Sequence, residues 1–465
     1  MMRLTRPVVR LVGGAAALLI AFALLGTASA EVQASNFTAT SADPSAIEFS
    51  VQVSGDPIAS ATLSYRRASG PTSIGGDLPG EVPSRGTGVV TATLGTNNGT
   101  AYIPVGTRFT YQWILKTEGG DTIETEPQEF TFLDGRFDWQ RLDQGGVTVY
   151  WYADRALAQS VLDASAGAVA DMSALLDANI DFPITVVLYS GGDSGLAAQQ
   201  PRGGVYDELS RTGGTRVAPD IVHVYDSLGL GWEDITRHEI THVVTAEAGD
   251  GPFTKMPSWL DEGLATYAQS NKGTRVAAVE AAIAGDNTLR LRNLNAPVNR
   301  ADQIELFYGQ SWRVVEYLID TYGGDKMAEL LATIKAGNTA DQAFQDVYGF
   351  DQDGLYNEWR VSVGLEPIEF APVVQATTTA PTEATRAPLT LPTSVSAGSS
   401  SSNGSTSGTT GDGGSGDSGA DVEVSPDDGG NGNVVTAAII GAVTLVLAGG
   451  LGFFGLKLMR AKPQA

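Results

Sequence analysis

The chain has 465 residues, more than one hydrophobic core usually organises, so two or more folded units are expected. A formal net charge of -24 excludes nucleic acid or an anionic membrane surface as the main partner, because phosphate binding needs clustered Lys and Arg. The absence of cysteine excludes disulfides, a thiol nucleophile and thiolate ligands, so any zinc site must be built from His, Asp or Glu.

At the N-terminus, Arg3, Arg6 and Arg10 precede or open an apolar run from Leu11 to Leu25, which is followed by Ala28-Ser29-Ala30. That order of charge, apolar run and small residues predicts a secretory signal over residues 1–30, removed so that the mature chain begins near Glu31. An uncleaved anchor is the alternative, but the run is short for one and is broken by Gly13 and Gly14.

Residues 31–137 alternate with period two, as in Ile47-Glu48-Phe49-Ser50-Val51-Gln52-Val53 and Phe109-Thr110-Tyr111-Gln112-Trp113-Ile114-Leu115. Turn signals separate the runs, among them Gly55-Asp56-Pro57, Asn97-Asn98-Gly99 and Gly119-Gly120-Asp121. Short strands at this spacing predict an antiparallel β-sandwich module, similar in pattern to immunoglobulin-like (Ig) and fibronectin type III (FnIII) modules. No catalytic cluster is visible in it.

After Trp139 the character changes. Val147 to Tyr152 is predicted as a strand, and Asp154 can cap a helix to about Ala178, with Leu157, Val161, Ala168, Met172 and Leu175 near helical spacing. Strands at Ile184 to Tyr189 and Ile221 to Tyr225 flank a glycine-containing loop, and helices follow to about residue 364. Strands first and helices later predict an α+β domain over residues 138–366. Residues 367–433 are mainly Thr, Pro, Ser, Gly and Asp, too polar to form a core, and predict a disordered stalk. Val434 to Leu456 is 23 residues without a charge, enough to cross about 30 Å of hydrocarbon as a single transmembrane helix. Lys457, Arg460 and Lys462 in the tail 457–465 place that end in the cytoplasm and residues 31–433 outside the cell membrane.

The chemistry concentrates in Arg237-His238-Glu239-Ile240-Thr241-His242. Residues four apart share one helix face, so both imidazoles can reach a single ion while Glu239 sits beside it. Only three histidines occur in the chain, and two of them fall in this spacing. Further on, Glu262 stands in Pro257-Ser258-Trp259-Leu260-Asp261-Glu262-Gly263-Leu264-Ala265. Pro257 suits a first helical turn, and Gly249-Asp250-Gly251 ends the preceding helix, so two helices can meet at one ion. Zinc with three protein ligands keeps its fourth position for water, which it acidifies, and a carboxylate beside the metal can carry the proton.

The motifs at 238–242 and 259–265 resemble those of the gluzincin metallopeptidases, the zinc enzymes that include thermolysin and the membrane alanyl aminopeptidases. The likeness is strongest to the peptidase MA-like domains of bacterial surface proteins, and it covers about 138 to 366. It implies one zinc ion (Zn2+) held by His238, His242 and Glu262, with Glu239 as general base. Tyr308-Gly309-Gln310-Ser311-Trp312 looks like the Tyr-initiated helix of the aminopeptidases, which implies that the Tyr308 hydroxyl donates to an oxyanion. An apolar stripe of Tyr308, Trp312 and Val315 fits the same residues. His223 lies in the strand before the zinc helix, where the family presents an edge strand to substrate, though a plain strand residue suffices. Asp261 can orient a ligand or be a solvated carboxylate. The aminopeptidases' Gly-Ala-Met-Glu-Asn strand has no counterpart here, so endopeptidase rather than exopeptidase activity is expected. The expected function is therefore a membrane-anchored, extracellular zinc metallopeptidase acting on peptide or protein. The alternatives are an inactive surface adhesion or scaffold protein, and a domain in which zinc is purely structural.

Overall fold

The computed structural model of the protein describes residues 31–68, 75–97, 102–200, 213–298 and 300–371. The expected signal, nearly all of the expected stalk, the expected membrane helix and the tail lie outside these residues. Among the described residues no helix is long and apolar enough to cross a membrane.

The N-terminal region consists of antiparallel sheets, as the alternation requires. One sheet has the order β1 (Gln33–Thr40), β2 (Ala46–Ser54), β5 (Gly88–Gly95). The other runs β4 (Gly75–Gly80), β3 (Ile58–Arg67), β6 (Arg108–Thr117), β7 (Thr122–Glu124), with β8 (Gln128–Thr131) also paired to β6. Period two puts Ile47, Phe49, Val51 and Val53 of β2 on one face and Phe109, Tyr111, Trp113 and Leu115 of β6 on another, all buried in a common core.

A second five-stranded sheet opens the helical part. Its order is β12 (Gly214–Ala218), β13 (Ile221–Val224), β11 (Ile184–Leu188), β10 (Val147–Trp151), β9 (Gln140–Gln144). The inner strands β10, β11 and β13 are parallel, and the two edges are antiparallel to their neighbours. Helix α1 (Arg155–Leu176) crosses from β10 to β11, and Asp154 caps it by accepting from the backbone N–H of Ala156 and Leu157. After the short α2 (Gly192–Leu196) and the strands come α3 (Trp232–Gly249), α4 (Ser258–Tyr267), α5 (Arg275–Ala284), α6 (Ile304–Tyr322), α7 (Gly324–Lys335), α8 (Ala340–Tyr348) and α9 (Gln352–Ser362). An N-terminal β-sheet region followed by an α+β domain is the architecture observed. Two strands, β9 and β12, were not anticipated from the sequence: both are short, and β12 follows the glycine-containing loop. Pro257 is the cap before α4 rather than a residue of its first turn.

The sheet is buried on both faces, which explains the nearly continuous apolar runs of its inner strands. Alternate residues enter different cores. Ile184, Val186, Leu188, Val222 and Val224 pack with α1 and α3, while Val187, Tyr189 and Tyr225 join the core of the N-terminal region. His223 belongs to that second face: its Nε2 lies 2.8 Å from the Val105 carbonyl oxygen and its Nδ1 2.9 Å from Gln199 Nε2. Tyr102 donates to the Ala198 carbonyl, Asn97 donates to that of Gln199, and the buried Arg67 and Asp220 form an ion pair. The seam between the two parts is thus a packed surface.

Candidate metal centre

Helix α3 carries His238, Glu239 and His242, all at most 1% exposed. One helical turn separates the two imidazoles, which meet edge to face with ring centroids 4.9 Å apart. Helix α4 brings Glu262 across: its Oε2 lies 3.2 Å from His238 Nε2 and 3.5 Å from His242 Nε2. The ligand atoms of the three residues lie within 4.8 Å of one another. Both Nε2 atoms and Glu262 Oε2 are buried without a hydrogen-bond partner. Buried polar atoms are normally satisfied, and three convergent atoms of ligand type are what a small cation satisfies. The residues present therefore fit a zinc ion.

The neighbours orient these ligands. His242 Nδ1 lies 3.0 Å from Asp261 Oδ2, and Asp261 Oδ1 accepts from the Thr245 hydroxyl at 2.6 Å. A proton held on Nδ1 by that carboxylate leaves the Nε2 lone pair for an ion. Burial works against charge on His242, yet the Asp261 and Glu262 carboxylates hold its pKa well above the ordinary value. Burial would raise Asp261, but the His242 imidazole, with Arg216 and Thr245, brings it down to about 2. Burial drives His238 down to about 4, which Glu262 only partly opposes. Glu262 itself is lowered, the two imidazoles outweighing its burial.

Glu239 faces the edge of the sheet. The backbone N–H of Arg216 on β12 donates to Glu239 Oε2 at 3.0 Å, and Arg216 Nη1 donates to the His242 carbonyl at 2.8 Å. Gly214 makes the approach possible, since a Cβ there would stand 2.7 Å from Glu239 Cγ. The edge strand beside the cluster is therefore β12. His223, on the internal strand β13, points to the opposite face, where burial drives its pKa down to about 4.

Tyr308 is brought in by α6. It sits one turn inside that helix, not at its start, because the helix begins at Ile304. Its ring centroid is 6.0 Å from that of His238, and it is buried together with Trp312 and Val315. It belongs to a buried stripe and borders the cluster at once. Close helix crossing is what permits this: a Cβ on Gly263 would stand 2.6 Å from the Ser311 carbonyl oxygen, and one on Gly309 would run into that of Arg275.

The structure brings His238, His242, Glu262, Glu239 and Tyr308 together and leaves His223 elsewhere. Arg216 and Arg275 were not singled out in the sequence. Their only local trace is the small residue beside each contact, Gly214 and Gly309.

Residues 164–364 match the family model of the Peptidase MA superfamily. They form a Peptidase MA domain. The match starts inside α1 and ends just past α9, so it contains every residue of the cluster. No curated protein matches the chain. Among solved structures, the chain is similar to a purple acid phosphatase, PPD1, from yellow lupin (Lupinus luteus) seeds. That likeness has 14% identity and a TM-score of 0.17, and it covers 33% of this chain and 29% of that one. A putative beta-galactosidase from Bacteroides fragilis follows at 12% identity and TM-score 0.14, covering 36% and 25%. Both similarities span well under half of either chain and are too slight to say anything of the Peptidase MA domain.

Proposed function

We propose that the chain is a zinc metallopeptidase that hydrolyses internal peptide bonds outside the cell and is held to the membrane by residues 434–456. The observation that carries the reading is the convergence of His238 Nε2, His242 Nε2 and Glu262 Oε2, buried with no hydrogen-bond partner outside the three, beside a carboxylate on the same helix as the histidines. His238, His242 and Glu262 would hold the metal. Zinc, when bound, acidifies water and polarises a carbonyl. Glu239 takes the proton from the attacking water and passes it to the leaving nitrogen, while the Arg216 N–H holds its carboxylate in place. The Tyr308 hydroxyl donates to the oxygen on which negative charge develops. Among the described residues β12 is an edge strand beside the cluster, and its backbone groups other than the Arg216 N–H would pair with an extended substrate.

The placement outside rests on the charge and apolar pattern of residues 1–30 and 434–465. The test is to incubate the zinc-loaded full chain and its Glu239→Gln variant with a diverse peptide library and identify products by mass spectrometry. Cuts made by the first and not by the second are expected. If the two give the same products across a broad pH range, the reading fails and a non-catalytic surface role replaces it.

A further inference from the structure

Arg275 opens α5 and is 1% exposed. A guanidinium so deeply buried is costly unless it is paired, yet among the described residues it makes no ion pair. Its Nη1 donates to the Thr266 hydroxyl and the Gln269 side-chain carbonyl. Its Cζ lies 4.4 Å from the centre of the Tyr308 ring. Burial pushes its pKa down, while Tyr308 and the carboxylates of Glu305, Glu262 and Glu239 oppose that loss of charge. The backbone of the same residue also touches α6, because the Arg275 carbonyl oxygen packs against Gly309, the residue after Tyr308.

We propose that Arg275 is a positioning residue for Tyr308, holding the ring face with its guanidinium and the following backbone with its carbonyl so that the hydroxyl is fixed toward the metal cluster. The inference rests on the peptidase reading for the use of that hydroxyl. Arg275 covers the ring on one side while the His238 ring meets it edge-on. A cation on the face of a desolvated aromatic ring is held strongly, and a donor fixed in advance needs no reorganisation as charge develops. The positive charge at the ring face also withdraws electron density from the phenol and strengthens its O–H as a donor.

The experiment uses the full chain in detergent, as Arg275→Met, Tyr308→Phe and the double variant. Steady-state kinetics are measured with zinc on a peptide that the wild type cuts. Carbon NMR of ring-labelled tyrosine is recorded on the metal-free protein, the Tyr308 signal being assigned by its loss in Tyr308→Phe. Arg275→Met is expected to lower kcat about 10- to 100-fold, the scale of a small misplacement, with KM within about twofold. In the Tyr308→Phe background the same substitution should cost less than about threefold, since the two residues act as a unit. The Tyr308 signal should shift or broaden in Arg275→Met. Losses that multiply in the double variant, or an unmoved Tyr308 signal, overturn the proposal. If Arg275→Met does not fold, Gly309→Ala presses on the same contact while keeping the guanidinium, and the same kcat loss and signal shift are expected. If the wild type cuts no peptide, the peptidase reading falls. The NMR comparison then still decides whether Arg275 holds Tyr308.

Discussion

His223 at the seam and His242 in the helical cluster are both fully sealed from solvent, yet their nitrogens meet different atoms. Each nitrogen of His223 has one neutral partner, the Val105 carbonyl and the Gln199 amide. His242 instead faces two carboxylates, Asp261 at Nδ1 and Glu262 at Nε2. Burial lowers the pKa of the first to about 4, and the carboxylates raise that of the second in spite of burial. Burial of a histidine is therefore no mark of function. What sets the helical cluster apart is that two imidazole nitrogens converge on one carboxylate oxygen, Glu262 Oε2, whereas each nitrogen of His223 meets its own separate partner.

The sharpest break between the two regions is metal binding itself. His242→Ala should abolish stoichiometric zinc, and His223→Gln should leave it unchanged, as read by elemental analysis of the purified chains. Equal zinc in His242→Ala and wild type would remove the basis of the site. Next in size, Glu239→Gln should keep its zinc and lose about 10²–10⁴ in kcat, the usual weight of a general base. Retained activity would show that Glu239 is not that base.

The seam should announce itself through pH. His223 has a folded pKa near 4 against about 6.5 unfolded, so between these values the unfolded chain binds the extra proton. Its contribution is fully present above about pH 6.5 and is lost as pH falls toward 4, a difference of about 3 kcal/mol. The hydrogen bond to Val105 and, less, the Asp134 carboxylate oppose this, and the Tyr189 ring packs 5.9 Å away. His223→Gln should flatten that part of the profile in denaturant titrations at pH 4 to 7, and an unchanged slope would show that another group is responsible. The smallest effect expected is that of Asp261→Asn, which should weaken zinc about 10- to 100-fold in a chelator competition. An unchanged affinity would show that the Asp261 contact to His242 Nδ1 has no part in zinc binding.

How much of this was legible follows from distance along the chain. His238 and His242 could be read because helix geometry alone puts them on one face, whereas for Glu262 the glycine break allows a second helix to fold back and the resemblance of the motif at 259–265 singled it out. The alternation from Phe109 to Leu115 gave the buried face of β6 in the same way. Arg216 and Arg275 could not be read, since each acts by approaching another element, and nothing in a one-dimensional pattern states which helix a strand edge will lie against. The partners of His223 come from Val105, 118 residues earlier, and from a glutamine in a loop. Its strand was recognised, but which face it turned to was not, because a run apolar on both sides carries no alternation.

That two-faced sheet sets the smallest transplantable unit. A fragment excised from about residue 138 would keep His238, His242 and Glu262 yet bare Val187, Tyr189 and Tyr225, a patch that ordinarily lies inside a core. It would also strip the Val105 carbonyl from His223 and one carboxylate's partner, Arg67, from Asp220. Grafting this cluster onto another protein would therefore mean carrying the N-terminal sheets along, or repainting the exposed face of β11 and β13 with polar side chains.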